Sequence, residues 1–168
     1  MKLSILSCVG SLIGLVSHVD AAPFTETYFG PAISTGPSQV DMIRTVTTIV
    51  PGRCPPNQRG ALYLWPGISN GTGDLIQSCM TSWIDNNCGQ NDDEYEWCTE
   101  ASVLISGDNF QTVARSSPVK PTDRIKIEYV RGAPQANGYE WEWHQYVTME
   151  ATGELLSDLT SVSGNMRG

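Results

Sequence analysis

Apolar and polar residues alternate along most of this chain with the two-residue period of β-strands. In residues 124–130, Ile125, Ile127 and Tyr129 fall on one face, and residues 139–149 place a large side chain at every second position. No segment keeps the 3.6-residue period of an amphipathic helix. Turn residues such as Pro51-Gly52 separate the runs. The pattern predicts seven strands, at residues 42–50, 61–65, 75–83, 95–105, 124–130, 139–149 and 155–162.

This succession of strands predicts the fold class. Several short strands with irregular connections, and no internal repeat, are typical of an all-β protein built as an antiparallel sandwich or a barrel. We expect residues 39–168 to form a single domain, with Thr152-Gly153 as a hairpin turn. Residues 22–38, rich in Pro, Gly, Ser and Thr, predict a loose N-terminal arm. The chain stops soon after its last strand, so we expect a sandwich that is truncated and open at the C-terminal edge.

The first residues have the pattern of a secretory signal peptide. Lys2 precedes an apolar stretch, and Val19 and Ala21 supply the small side chains of a cleavage site. We predict a signal peptide at residues 1–21, with cleavage after Ala22 as the near alternative, and therefore a secreted, extracellular protein. A short anchor or a buried helix is the other interpretation of this stretch.

Charge restricts the partners. The formal net charge is −8 at pH 7, which disfavours nucleic acid, and no polybasic segment predicts membrane binding. We expect a monomer whose partner is an extracellular glycan or polypeptide, with no cofactor.

Four cysteines follow the predicted signal peptide, and an even number in an oxidising compartment predicts two disulfides. Three pairings are possible, and we favour Cys88–Cys98 with Cys54–Cys79. Zinc is disfavoured because no Cys-x2-Cys spacing occurs and His144 is the only histidine after the signal. We expect no metal site.

Asn70-Gly71-Thr72 is an N-glycosylation sequon, on a segment that reads equally well as an unmodified turn.

Two strands contain polar residues that are costly there unless they are bonded or used. Gln77 shares its face with Leu75, Cys79, Thr81 and Trp83, and its amide is able to donate to an oxyanion or to neighbouring backbone. Glu94, Glu96 and Glu100 share a face with Cys98. They form either a carboxylate cluster in a cleft or a solvated outer face, and the pattern favours the solvated face.

The strand at residues 139–149 carries a second set of candidates. Tyr139, Trp141 and Trp143 form an aromatic stripe suited to stacking on sugar rings or to packing in a core, and the apolar residues that continue the stripe favour the core. Glu140, Glu142 and His144 alternate on the other face, as in some glucanases and also in ordinary exposed strands.

Several of these motifs, in their order, resemble one known family. Residues 63–68 (Tyr-Leu-Trp-Pro-Gly-Ile), 75–78 (Leu-Ile-Gln-Ser) and 95–97 (Tyr-Glu-Trp) are similar to the motifs of the eqolisins, acid-acting glutamic peptidases secreted by fungi. Residues 122–127 and 150–153 continue the similarity. The resemblance implies a concanavalin A-like sandwich, or jelly roll. It matches Gln77 to the family's catalytic glutamine and Glu96 to a carboxylate that lines the same cleft.

The family's catalytic glutamate lies on a later strand, to which no position of this chain corresponds. We therefore expect a secreted sandwich that binds an extracellular ligand, a glycan or another polymer, in a sheet cleft without eqolisin catalysis. The alternatives are an acid-acting hydrolase, peptidase-like or glucanase-like, with Gln77 and Glu96 as its catalytic residues, and a non-catalytic protein that interacts with a host or a cell wall. The predicted ligand contacts are Trp65, Gln77, Glu96, Trp97 and Trp143.

Overall fold

The computed structural model describes residues 30–83, 88, 96–108 and 111–168. The chain divides into two units, Met1–Ile33 and Ser34–Gly168. The described part of the first unit is irregular, and all ten strands lie in the second. The described residues form no helix, and hence none long and apolar enough to cross a membrane. The predicted signal peptide lies outside these residues and stays a prediction.

Ten antiparallel strands of the described residues build two sheets. The four-stranded sheet has the order β1-β8-β9-β10, and the six-stranded sheet has the order β2-β4-β5-β6, with β3 paired to β4 and β7 paired to β5. The strands are β1 (Arg44–Ile49), β2 (Leu62–Leu64), β3 (Gly67–Ser69), β4 (Leu75–Ser82), β5 (Trp97–Leu104), β6 (Thr112–Val113), β7 (Ser117–Val119), β8 (Ile125–Pro134), β9 (Trp141–Met149) and β10 (Leu155–Ser163).

The all-β sandwich is confirmed, while its jelly-roll connectivity stays a prediction. Each of the seven predicted strands is present within a few residues of its expected ends. The hairpin at Thr152-Gly153 is also confirmed, because the Gly153 amide donates to the Met149 carbonyl at 2.8 Å. The predicted set lacks β3, β6 and β7, which are two or three residues long and so too short to show a period.

The two sheets pack through alternating side chains. Ile76 and Met80 of β4 face Ile125, Ile127 and Tyr129 of β8 within one buried cluster. The predicted shared face of β8 is therefore the core face. Hydrogen bonds also link the two sides of the sandwich, among them those from the Tyr129 hydroxyl to the Pro66 carbonyl at 2.9 Å, from the Gln145 side-chain amide to the Ser102 carbonyl at 3.0 Å and from the Ala101 main-chain amide to the Ser157 hydroxyl at 3.0 Å.

The C-terminal segment contacts both sides of the sandwich. Met166 is fully buried, and its carbonyl accepts from the Met42 amide at 2.8 Å just before β1. The Arg167 amide donates to the Ser69 carbonyl of β3 at 3.0 Å. Such bonds join residues 166–168 to the segment before β1 and to β3, while β10 is paired with β9 alone among the described strands.

Only one of the two predicted disulfides is present among the described residues. Cys88 and Cys98 are bonded, as expected, whereas Cys54 and Cys79 are free thiols. The prediction of a Cys54–Cys79 bond was wrong because β4 separates the two side chains. Cys79 lies on the outer face of β4 with Gln77, while Cys54 contacts the Ser82 hydroxyl at 3.0 Å on the core side.

Candidate functional site

The outer face of the six-stranded sheet carries a groove. Two depressions of about 360 and 290 Å³ share Tyr63 and Glu100 and therefore adjoin. The first is also lined by Trp65, Leu75, Gln77, Cys79, Gln111 and Val113, and the second by Thr81, Trp83, Cys88, Cys98 and Ser116. We call the two together the groove. Two of the predicted ligand contacts, Trp65 and Gln77, line it together with exposed aromatic rings.

The floor of the groove is built from β4 and β5. Across the two strands Gln77 lies opposite Ser102, and Cys79 lies opposite Glu100. Gln77 and Glu100 are thus diagonal neighbours, a relation that places Cβ atoms about 7–8 Å apart. Because strand backbones are held by their hydrogen bonds on both sides, the two polar groups project from a rigid base.

Gln77 is the buried polar group of the groove. Its side chain is only 7% exposed, lines the larger depression and has no hydrogen-bond partner among the described residues. The neighbouring polar groups have hydrogen-bond partners. The Gln111 side-chain amide donates to the Ser102 hydroxyl at 2.7 Å, and that hydroxyl donates to the main-chain carbonyl of Gln77 at 3.3 Å. The polar atoms of the Gln77 side chain are not among the fully buried unpartnered groups of the described residues, so the amide reaches solvent in the larger depression and is able to pair with a ligand hydroxyl or carbonyl.

Glu100 supplies the negative charge of the groove. Its carboxylate accepts a short hydrogen bond from the Ser116 hydroxyl, which orients it. Burial raises the pKa of the Cys79 thiol, and the charge of Glu100 raises it further, although the bond to Ser102 opposes the shift. The pKa of Tyr63 is raised by burial first and then by the charges of Cys79 and Glu100. At neutral pH both groups are therefore neutral beside a single carboxylate.

Aromatic rings line the groove with exposed surface. Tyr63, Trp65 and Trp83 are 51%, 47% and 40% exposed. Tyr63 and Trp83 meet edge to face, with centroids 6.2 Å apart and an interplanar angle of 78°. Tyr63 and Trp65 point outward because the alternating Leu62 and Leu64 pack against the core.

The structure corrects the predicted position of Glu96. Its carboxylate accepts from the Cys54 amide at 2.6 Å and lies 3.6 Å from the Arg53 guanidinium. Glu96 precedes Ser102, the residue opposite Gln77, by six positions, or about 20 Å of strand. Gln77 and Glu96 therefore do not share one cleft, and Glu96 supports a loop instead of facing the groove.

Two of the predicted ligand contacts are core residues. Trp97 is 3% exposed, and its indole NH donates to the Gly52 carbonyl at 2.8 Å. Trp143 is fully buried, and its indole NH donates to the Gly164 carbonyl at 3.2 Å. Neither indole ring is exposed to a ligand, so the prediction that Trp97 and Trp143 are ligand contacts was wrong. Two other predicted contacts, Trp65 and Gln77, line the groove.

The predicted ligand contacts omitted Tyr63, Trp83, Glu100 and Gln111. Glu100 appeared only as a member of a carboxylate cluster, of which Glu94 lies outside the described residues. The period-two pattern places Trp83 on the face of Gln77, but it does not say that Tyr63 lies beside it. That proximity follows from the pairing of Tyr63 with Thr81 across β2 and β4.

The candidates on β9 form a separate arrangement. His144 lies on the outer face of the other sheet, with Nε2 3.8 Å from the Glu142 carboxylate and Nδ1 3.1 Å from the Thr160 hydroxyl. No three His, Cys, Asp or Glu side chains converge on a possible metal position in the described part of the chain. The sequence also holds three consecutive acidic residues, Asp92, Asp93 and Glu94, which lie outside that part.

The sequon forms a turn. The Asn70 side-chain oxygen accepts from the Thr72 amide at 2.8 Å and from the Asp74 amide at 3.1 Å, as expected for an Asn-Gly turn. Glycosylation of Asn70 stays a prediction.

Comparison with known proteins gives no family model that matches the chain, and neither a curated protein nor a solved structure is similar to it. The resemblance to the eqolisins therefore rests on the short motifs in the sequence and stays a prediction.

Proposed function

We propose that this protein is secreted and binds an extracellular glycan polymer along the groove, without catalysing a reaction on it. The observation that carries the proposal is the Gln77 side-chain amide, which has no partner in the described chain and opens into a groove flanked by exposed aromatic rings. Sugar rings present apolar faces that stack on aromatic side chains and hydroxyls that pair with amides and carboxylates. The groove offers both kinds of contact on rigid strands.

The position of the groove favours a glycan over a polypeptide. One recurring way for a sheet to bind an extended peptide is strand addition at a free edge, where main-chain hydrogen bonds supply the affinity. The groove lies on a sheet face, and the strands of its floor, β4 and β5, are already paired on both sides. A ligand on this face contacts side chains and no free main-chain groups of β4 and β5, and stacking of sugar rings on aromatic side chains needs only such contacts.

The test is calorimetric titration of the secreted protein with hexamers of β-1,3-glucan, cellulose and chitin. We expect at least one hexamer to bind, and Gln77→Ala to weaken that binding by about tenfold, the cost of one well-placed hydrogen bond in a desolvated site. Tyr139→Ala is the control, because Tyr139 is 82% exposed and follows the turn before β9, away from the groove. Absence of binding to every hexamer, or equal affinity of both variants, would contradict the proposal.

A second candidate is an acid-acting hydrolase, favoured by one observation. Gln77 and Glu100 are diagonal neighbours in a half-enclosed site, so a carboxylate able to activate water stands near an amide able to hold an oxyanion. Incubation with denatured casein and with β-glucan between about pH 2 and 5, where carboxylates change charge, separates the two functions. Turnover that Glu100→Gln abolishes would establish the hydrolase and displace the binding proposal.

A further inference from the structure

The described groove lining carries a negative charge. It contains Glu100 and no Lys, Arg or His. A negative potential at the floor disfavours anionic polymers such as uronic acid glycans and attracts cations.

Glu100 lies where the two depressions of the groove meet. It is the carboxylate that both depressions share, and Tyr63, the aromatic residue that both share, lies beside it. The hydrogen bond from Ser116 satisfies one of its oxygens and leaves acceptor capacity for a ligand. Burial is the main cause of the raised pKa values of Tyr63 and Cys79, and the negative charge of Glu100 raises both further.

We propose that the groove selects amino sugars with a free, protonated amine, as in a polymer of glucosamine. This inference rests on the proposed glycan binding and names its substrate class. An ammonium group at Glu100 gains a charge-assisted hydrogen bond from the carboxylate and a cation–π contact from Tyr63 or Trp83. An acetylated amine has neither the charge nor the small size for this position, and a neutral hydroxyl gains only an ordinary hydrogen bond.

The experiment compares three hexamers in calorimetric titration, namely glucosamine, N-acetylglucosamine and glucose in β-1,4 linkage. A pH of about 5.5 keeps a glutamate ionised, and the sugar amine carries its proton there. We expect the glucosamine hexamer to bind about tenfold more tightly than either neutral hexamer, a ratio that falls as salt rises from about 0.05 to 0.5 M. Equal affinities, or a ratio that salt does not change, would overturn the proposal.

The matched variants are Glu100→Gln and Glu154→Gln, which change the net charge equally. Glu154 is exposed in the hairpin that leads into β10. We expect Glu100→Gln to bring the ratio of free-amine to acetylated affinity close to one, and Glu154→Gln to leave it as in the wild type. If both variants lower the ratio alike, the preference reflects net charge and not a subsite, and the proposal fails.

Two further outcomes separate this inference from the proposed function. Binding of neutral hexamers without preference for the free amine would preserve glycan binding and overturn only the amino-sugar subsite. Failure of all three hexamers to bind would overturn the amino-sugar subsite, and failure of the β-1,3-glucan hexamer as well would overturn both. A lysine hexapeptide serves as the polypeptide arm, and tighter binding of this peptide than of the glucosamine hexamer would replace the amino sugar by a basic polypeptide.

Discussion

Gln77 and Glu100 project from adjacent strands into one groove, as diagonal neighbours across β4 and β5. One is an amide without a described partner, and the other is a carboxylate oriented by Ser116. Together they combine a hydrogen-bond donor, a negative charge and a rigid base, while Tyr63, Trp65 and Trp83 add apolar surface. This relation is the basis of the glycan proposal and of the amino-sugar subsite.

The contribution of aromatic stacking is testable at Trp65. Its ring is 47% exposed and lines the larger depression, so Trp65→Ala removes contact surface without opening the core. We expect about tenfold weaker binding of whichever glycan hexamer the wild type binds, with a melting temperature within a few degrees of the wild type. Tyr139→Ala is the matched exposed aromatic control. Unchanged affinity in the Trp65 variant would remove this ring from the binding surface.

Substitution of Trp143, in contrast to that of Trp65, is expected to lower the stability of the fold. Trp143 is fully buried and bonded to the Gly164 carbonyl, so Trp143→Ala should lower the free energy of unfolding by about 3–5 kcal/mol. If this variant does not fold, Trp143→Phe keeps most of the volume and loses chiefly the indole bond, at about 1–3 kcal/mol. Urea unfolding of folded variants gives these values. A Trp143→Phe variant as stable as the wild type would argue against the core position.

The free thiols of Cys54 and Cys79 should react with an alkylating reagent, whereas the Cys88–Cys98 disulfide should not. Alkylation of the denatured, unreduced protein followed by peptide mapping should label Cys54 and Cys79 and leave Cys88 and Cys98 unlabelled. In the folded protein, burial raises the pKa of both thiols, so labelling at about pH 8.5 should be slower than in the denatured chain. A mass that shows no alkylated cysteine would restore the second disulfide.

Tyr129 should make the protein sensitive to high pH. Burial raises the pKa of its phenol, so the folded chain keeps it neutral above about pH 10, where an unfolded tyrosine ionises. Its contribution to stability is therefore complete below about pH 10 and decreases as the pH rises toward the folded pKa. Urea unfolding at about pH 8 and 11 should show a smaller alkaline loss for Tyr129→Phe than for the wild type.

The same variant reports on the bond between the sheets. At about pH 8, Tyr129→Phe should cost about 1–3 kcal/mol, because the Pro66 carbonyl loses its donor. Tyr139→Phe, at an exposed position, should change neither the free energy of unfolding at about pH 8 nor its loss at alkaline pH. Equal alkaline loss in the wild type and both variants would assign the pH dependence to other groups.

Much of the architecture was predictable because a strand records its two environments in alternation. The alternation of Ile125, Ile127 and Tyr129 with polar residues indicates a buried face. In β2, the alternation of Leu62 and Leu64 with aromatic residues likewise indicates an inner and an outer side. The Cys88–Cys98 bond followed from the short loop between its two cysteines. The short strands β3, β6 and β7 were missed because pairing with β4 and β5 defines them and a period does not.

The sequence by itself determined the all-β class, most strand positions and which residues of each strand point the same way, because side-chain direction depends only on local backbone geometry. Only the tertiary structure decided which strands are neighbours and in what register. That choice joined Gln77 to Glu100 and Tyr63, separated it from Glu96, and put Cys54 and Cys79 on opposite sides of one strand. Pairing depends on contacts between residues far apart in the chain, and a local pattern does not contain them.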